Sequence, residues 1–275
     1  METLNMIKIF VTFLLGISQV NNPLISAMIK IAALFVILLT VAIAGYGIPG
    51  CTVAEPRTPV LLIILLDETE SYMKTGNWTQ SLRTALRAVD FLRPGDAVCV
   101  IGIDDHGFDQ DDVLIPAMPI PRTTLKSVEA KRLLMDRIAS MEPREESSGR
   151  KLPEGGYKGF PFGTDTRGAV SQAAQISGYF DDHLIRILIF TDFRDEPPVV
   201  PEGRGNIDIQ FTGDCRLKAL YIDETGGADW FDRIERWVEV FNNLGVKCSA
   251  KDFYPTSMSS PSTFPKLLQD FFQEP

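Results

Sequence analysis

The chain has 275 residues, 45% of them apolar, and its 27 basic and 36 acidic residues give a formal net charge of −9. This apolar fraction excludes a mainly disordered chain, and four cysteines are too few for a disulfide scaffold. The acidic balance excludes a protein that mainly grips nucleic acid, because phosphate neutralisation needs clustered lysine and arginine.

The first part of the chain is strongly apolar. Residues 31–48 form an uncharged run, about 27 Å long as a helix, which approaches the hydrocarbon thickness of a bilayer. Lys30 precedes this run, as is usual for a span whose amino end stays in the cytoplasm. We predict that residues 1–51 are a hydrophobic signal or membrane anchor, followed by a linker at residues 52–58.

The end of this run, Ile48-Pro49-Gly50-Cys51, resembles a bacterial lipoprotein signal, in which a small residue precedes a lipidated cysteine. The resemblance implies lipidation at Cys51, although Pro49 departs from the usual pattern. A single span would place the rest of the chain outside the cytoplasm, in the periplasm or at the cell surface. A two-helix hairpin that breaks at Pro23 would leave it facing the cytoplasm.

Beyond the linker, apolar runs and helical patterns alternate. Runs that do not alternate with polar residues indicate strands buried on both faces, as in parallel sheets. These runs cover residues 59–66, 97–103, 184–190 and 217–222, with a shorter one near 246–250. Residues 82–89 and 230–241 have apolar residues at helical spacing, Gly245 is placed to end the second helix, and residues 265–273 can add a short amphipathic helix.

This alternation predicts an α/β fold with a doubly wound, mostly parallel, Rossmann-like sheet. The connection between residues 101–103 and 113–116 is too short for a crossover helix, so we predict one antiparallel edge strand there. Residues 143–163 and 196–214 are rich in Pro, Gly and polar residues, which indicates long surface loops.

Oxygen-bearing side chains follow the first buried strand. Asp67 comes directly after it, and Thr69 and Ser71 stand at alternate positions, so their oxygens can converge on one point. Hard oxygen donors suit Mg²⁺, Ca²⁺ or Mn²⁺ better than zinc. Open α/β sheets bind ligands at the carboxyl ends of their strands, where this group lies.

Two further segments complete a pattern. Gly163-Thr164-Asp165-Thr166 opens a helix, and Thr191-Asp192 ends another apolar strand. With Asp67-Glu68-Thr69-Glu70-Ser71, they resemble the von Willebrand factor A domain and its metal-ion-dependent adhesion site. The resemblance implies a domain over residues 59–255, a tail at 256–275 with a short helix, and one divalent cation, Mg²⁺ before Ca²⁺ or Mn²⁺. The implied ligands are Asp67, Thr69, Ser71, Thr164 and Asp192.

The resemblance also implies a function. Two carboxylates and several hydroxyls would leave the cation an open position that an acidic side chain of a partner protein can fill, with specificity set by the surrounding loops. We therefore expect a membrane-tethered, non-enzymatic protein-binding or adhesion module. One alternative is an envelope or complex-assembly factor that works with an AAA+ chaperone. Another is a metal-dependent hydrolase, which would need a general base near Asp67.

The sequence departs from the family pattern in three ways. Thr69 stands where serine is commoner, and it keeps the hydroxyl. Phe193 follows Asp192 where glycine is usual, so that turn is expected to be reshaped. Glu68 and Glu70 add negative charge that would either raise cation affinity or face water.

The remaining chemical groups are less informative. His106 and His183 each stand beside acidic residues and are interpreted as solvated loop residues. The acidic residues 104–112 would hold a second Ca²⁺ only if they are more than a solvated loop. Cys215 and Cys248 begin the last two predicted strands, which are neighbours in the family's sheet order, so a disulfide and two isolated thiols both stay open.

Overall fold

The computed structural model describes residues 57–104, 112–142, 164–193, 209–222, 229–258 and 264–273. Apart from Arg57, these residues belong to one unit of the chain, Thr58–Pro275. Several predictions fall outside the described residues. They concern the signal or anchor with Cys51, the residue His106, most of the acidic residues 104–112, and most of the two long loops. Within the described residues, none of the helices has the length and hydrophobicity needed to span a bilayer.

Strands and helices alternate along the described residues. The strands are β1 (Val60–Asp67), β2 (Ala97–Ile103), β3 (Val113–Pro119), β4 (Leu184–Phe190), β5 (Cys215–Ile222), β6 (Val246–Lys247) and β7 (Phe253–Pro255). The helices are α1 (Glu70–Lys74), α2 (Trp78–Phe91), α3 (Thr124–Ala139), α4 (Thr166–Ser177), α5 (Asp229–Asn243) and α6 (Phe264–Gln273), with a 3₁₀ turn at Ala250–Asp252.

The described strands form one sheet in the order β3-β2-β1-β4-β5-β6, with β7 also paired to β5. Strands β1, β2, β4, β5, β6 and β7 pair in parallel, and only the β2–β3 pair is antiparallel. The sequence prediction of a mostly parallel sheet with an antiparallel edge strand is therefore confirmed. The sheet order reverses direction at β1, which has β2 on one side and β4 on the other.

Strand β1 shows why the apolar runs do not alternate. All eight of its residues are buried. Leu61, Ile63 and Leu65 point into one apolar layer, and the intervening residues point into the layer on the opposite face. A strand covered on both faces needs an apolar residue at every position, which is the pattern seen in the sequence.

Helices cover both faces. Helices α4 and α5 pack on the first face, where Ala173, Trp237 and Phe241 are buried. Helices α1, α2, α3 and α6 pack on the second. The predicted C-terminal helix is confirmed, since the α6 residues Leu268 and Phe271 are fully buried in this second layer.

Two features differ from the sequence prediction. The strand predicted near residues 246–250 was wrong in extent: it stops at Lys247 and pairing resumes at Phe253. The interruption arises because the Ser249 and Asp252 side chains form a capping box that starts the 3₁₀ turn. Helix α3 was not predicted, because exposed apolar residues such as Leu125 and Val128 obscure its buried face.

Gly245 is placed as the sequence predicts. It follows α5 with φ +86°, a conformation that L side chains rarely adopt, and a Cβ there would lie 2.7 Å from the Phe211 carbonyl oxygen. Only glycine fits this turn, which lets the chain leave α5 and enter β6 at once.

Candidate metal centre

Asp67 lies at the carboxyl end of β1, the central strand of the site. Its backbone pairs with Ile103 of β2, and its side chain is fully buried. Oδ1 accepts hydrogen bonds from the Thr69 backbone amide at 2.9 Å and from Thr69 Oγ1 at 2.6 Å. Both oxygens are engaged, because Thr191 Oγ1 donates to Oδ2 at 2.6 Å.

A chain of hydroxyls leads to this carboxylate. Ser71 Oγ lies 3.2 Å from Thr69 Oγ1, and Thr164 Oγ1 donates to Thr69 Oγ1 at 3.3 Å. Since Thr69 gives its own proton to Asp67, Ser71 is the donor in its pair with Thr69. The protons therefore point towards the carboxylate, and the Ser71 and Thr164 oxygens keep lone pairs for another ligand.

Asp192 reaches the same place from β4. It is fully buried, and it follows Thr191, which contacts Asp67 directly. Its negative charge is one of the causes that raise the pKa of Asp67. The structure thus brings Asp67, Thr69, Ser71, Thr164 and Asp192 together at one edge of the sheet.

The electrostatics of this group favour a proton or a cation. Burial, and then the charge of Asp192, raise the pKa of Asp67 from 3.8 to about 7, even though hydrogen bonds from Thr191 and Thr69 lower it. Two buried carboxylates side by side favour a bound positive charge.

The donor set fits a hard divalent cation. All the converging side-chain donors are oxygens, which suits Mg²⁺, Ca²⁺ or Mn²⁺ and gives zinc no nitrogen or sulfur ligand. Among the described residues, no group of three or more His, Cys, Asp or Glu side chains is placed to hold a metal. This site has two carboxylates, so hydroxyls would have to supply the rest of the shell.

The turn after Asp192 keeps an unusual backbone. Phe193 has φ +53°, in the region that favours glycine, and its side chain is almost fully buried. Its ring packs against those of Trp237, Phe241 and Phe253, at centroid distances of 5.3 to 6.1 Å. The left-handed conformation expected of glycine is therefore retained with a phenylalanine, and aromatic packing offsets the strain.

Of the two alternatives for Glu68, the one in which it faces water is wrong. Its residue is only 1% exposed, so it does not face water, and its backbone amide bonds to the Ile103 carbonyl oxygen at 3.0 Å. This hydrogen bond continues the β1–β2 pairing for one residue and aims the following loop.

Two residues that matter for the site were not assigned a role from sequence. Thr191 was read only as part of a strand end, yet it holds Asp67 Oδ2. Asp165 caps α4 by accepting from the Gly168 amide at 2.8 Å, and its own amide bonds to the Asp104 carbonyl oxygen at 2.7 Å. Asp165 thereby fixes the loop that presents Thr164. An N-cap aspartate at a helix start was the available signal.

His183 lies far along the strand direction from the site. It precedes β4, whereas Asp192 follows it, so the two residues lie at opposite edges of the sheet. Its Nδ1 is 2.6 Å from Asp182 Oδ1, and its ring meets Phe180 edge-on. It is not placed to act as a base on a ligand at Asp67.

Cys215 and Cys248 are free thiols in the structure. Cys215 pairs in register with Val246, so Cys248 lies two residues beyond the partner of Cys215. Ordinary strand spacings then separate their Cα atoms by about 8 Å, more than the roughly 7 Å that a disulfide spans. This register opposes the disulfide and leaves two isolated thiols.

The strand order with its antiparallel edge, and helices on both faces, define the fold. The domain has a von Willebrand factor A-like fold. No protein-family profile and no curated protein matches the chain.

Solved structures of similar fold are distant in sequence. A von Willebrand factor type A protein from Catenulispora acidiphila is 14% identical, with a TM-score of 0.46 over 78% of this chain and 42% of that one. Proximal thread matrix protein 1 from the mussel byssus, with a zinc-occupied metal-ion-dependent adhesion site, is 14% identical, with a TM-score of 0.42 over 79% and 49%. The pilus adhesin SpaC from Lactobacillus rhamnosus GG is 10% identical, with a TM-score of 0.43 over 80% and 31%. The chain covers less than half the length of each.

Proposed function

We propose that this chain is a protein-binding module in which a divalent cation, Mg²⁺ before Ca²⁺ or Mn²⁺, mediates contact with an acidic side chain of a partner protein. The proposed ligands are Asp67, Thr69, Ser71, Thr164 and Asp192. The observation that carries the proposal is the convergence of three loops on one buried carboxylate, with hydroxyl protons directed towards it and Asp192 beside it.

The acidic character of the partner follows from charge. Two carboxylates and neutral hydroxyls would not fill the coordination shell of a divalent cation, so the cation would keep an open position that another anionic oxygen can fill. A bound cation would supply an open coordination position with positive character beside these buried carboxylates. A carboxylate is the partner group that best matches it.

The scaffold supports a binding role. Thr69, Thr164 and Asp192 are each at most 2% exposed, and they are held by strand ends and by a capped helix. Rigid donors that are placed in advance need little reorganisation when a ligand binds. The loops that surround such a site are where specificity is usually carried.

The N-terminal segment is proposed to tether the domain to a membrane, with the domain outside the cytoplasm. The uncharged run at residues 31–48 supports this, and Cys51 is the candidate for lipidation. Protease protection in intact cells tests the topology. Protection from external protease together with digestion after cytoplasmic exposure would contradict it.

The site is tested by calorimetric titration of Mg²⁺, Ca²⁺, Mn²⁺ and Zn²⁺ into the full chain in mild detergent. We expect one saturable site, with affinity at least about 100-fold weaker in Asp67→Asn and in Asp192→Asn, because each removes one of two anionic donors. Asp181→Asn, on an exposed residue at the other edge of the sheet, is the matched control.

The outcomes separate cleanly. Loss of metal binding in both site variants, with metal binding retained in Asp181→Asn, supports the metal centre. It also justifies a search for carboxylate-bearing partners that bind only when the cation is present. Equal binding in wild type and both variants, or no binding in folded wild type, contradicts the proposal. Circular dichroism of each variant shows whether the fold is intact.

A further inference from the structure

A row of basic side chains crosses the sheet near its amino edge. Arg186 of β4 pairs in register with Arg216 of β5, and Arg216 pairs with Lys247 of β6. Residues paired across neighbouring strands project from the same face, so three cations stand side by side. Like charges in this arrangement repel each other, and such a row favours a shared anion.

Asp214 supplies one shared carboxylate. Its Oδ2 lies 3.2 Å from Arg186 Nη1 and 3.5 Å from Arg216 Nε, and its Oδ1 accepts from Lys247 Nζ at 2.5 Å. Burial raises the pKa of Asp214, but the hydrogen bond from Lys247 and the charge of Arg186 lower it by more, so the net pKa lies below 3.8. The row is therefore an environment that holds anions firmly.

A cavity of about 300 Å³ lies beside this row. Its lining residues are Arg216, Leu217, Lys218, Lys247, Cys248, Asp252 and Phe271. Three of them are cationic and one is acidic, in a chain whose net charge is −9. The volume is at the lower end of the range of small-molecule sites, roughly 300 to 1,000 Å³.

The cavity walls are partly shielded from water. The side chains of Lys218 and Arg216 are 15% and 27% exposed, and Lys218 Nζ is 2.6 Å from Asp252 Oδ1. Arg186, the third cation of the row, is fully buried, and its Nε donates to the Phe271 carbonyl oxygen at 3.0 Å. Cations in a place of reduced dielectric attract an anion more strongly than exposed ones do.

The neutral lining is compatible with an anion. Burial raises the pKa of Cys248 to about 12, so its thiol stays protonated and adds no negative charge. Phe271 and Leu217 add apolar atoms to the lining. A lining that combines arginine and lysine with apolar side chains suits a small molecule with one strongly charged end.

We propose that this cavity is a binding site for a small phosphate-bearing ligand, inorganic phosphate or a phosphate monoester, held by Arg216, Lys218 and Lys247. A phosphate offers several acceptor oxygens and up to two negative charges, which matches several cationic donors better than a single carboxylate does. The site lies near the opposite end of the strands from Asp67 and does not depend on the metal centre.

The test is the affinity of the metal-free full chain for inorganic phosphate and for glycerol phosphate, measured by calorimetry at constant ionic strength and pH 7.5. We expect saturable binding of at least one of them, weakened about ten-fold or more in Arg216→Gln, since charge-assisted hydrogen bonds are among the strongest polar contacts. Tighter binding of glycerol phosphate than of phosphate identifies a monoester site, and the reverse identifies a free phosphate site.

Lys251→Gln is the matched control, because Lys251 is exposed near the cavity and is not among its lining residues. It should change the affinity less than about two-fold. Ser71→Ala should also bind phosphate as wild type does, which keeps this site separate from the metal centre. No saturable binding in folded wild type, or equal weakening in Arg216→Gln and Lys251→Gln, overturns the proposal.

Discussion

Two aspartates at opposite ends of the strands illustrate how differently one sheet treats the same side chain. Burial, and then the charge of Asp192, raise the pKa of Asp67, at the carboxyl end of β1, to about 7, although hydrogen bonds from neutral donors lower it. Asp214, just before β5, lies within 3.5 Å of side-chain nitrogens of Arg186, Arg216 and Lys247, and its pKa falls. Burial raises both pKa values, and at Asp214 the neighbouring cations reverse the net shift.

The difference has a functional meaning. The site at Asp67 brings two carboxylates, those of Asp67 and Asp192, close together, and it is suited to a bound cation. The row around Asp214 carries several positive charges and is suited to an anion. A domain can thus offer two ligand sites of opposite charge at the two ends of the same strands, and a variant at one should leave the other unchanged.

The largest effect is expected from Arg186→Met. This change removes a fully buried cation, leaving the Phe271 carbonyl oxygen without that donor and Asp214 without one of its ion pairs. We expect the free energy of unfolding to fall by about 2 to 4 kcal/mol, measured by urea denaturation. An effect below about 1 kcal/mol would show that the row is not a stabilising part of the amino edge.

A second, intermediate effect concerns pH at the carboxyl edge. The pKa of Asp67 is raised from 3.8 to about 7 in the folded protein, so the folded state binds more protons than the unfolded state between these values. The metal-free protein should therefore lose stability as pH rises from 5 to 8, by about 2 kcal/mol from this group.

The matched variant isolates this contribution. Asp67→Asn cannot titrate, so its stability should fall less than that of wild type over the same pH range in thermal unfolding. Saturating Mg²⁺ should also reduce the fall in wild type, because a bound cation favours the ionised carboxylates. A wild-type protein with the same pH profile as Asp67→Asn would contradict the raised pKa of Asp67.

The smallest effect is expected from Lys247→Gln. Lys247 pairs with Asp214, but its side chain is 67% exposed, so water and salt screen the interaction. We expect a loss below about 1 kcal/mol that disappears in high salt, by urea denaturation at two ionic strengths. A large, salt-independent loss would show that Lys247 acts within the buried row, as Arg186 does.

The fold was largely predictable because its signals are local. Continuous apolar runs marked β1, β2 and β4, whose residues lie between two apolar layers. The short connection before β3 marked the antiparallel edge. Helix α3 was not predicted because Leu125 and Val128 are exposed on it, so its apolar residues do not mark one face.

For the candidate site, the sequence predicted which residues supply the oxygen donors but not the contacts among them. Asp67, Thr69 and Ser71 are neighbours in sequence, and oxygen donors after a strand are recognisable there. The hydrogen bond from Thr191 to Asp67 joins residues 124 positions apart, and it exists because β4 lies beside β1. The strained backbone of Phe193 likewise depends on rings brought from α5 and β7. Metal binding, lipidation at Cys51 and the AAA+ alternative stay predictions.

The sequence by itself determined most of the secondary structure and the chemical character of the strand ends, because hydrophobic periodicity and donor type are properties of short segments. Only the tertiary structure decided which charges meet. Arg186, Arg216 and Lys247 become neighbours through strand order and register, and Cys215 and Cys248 are kept apart by the same register. Charge interactions depend on distances in space, and those distances are set when the strands align into the sheet.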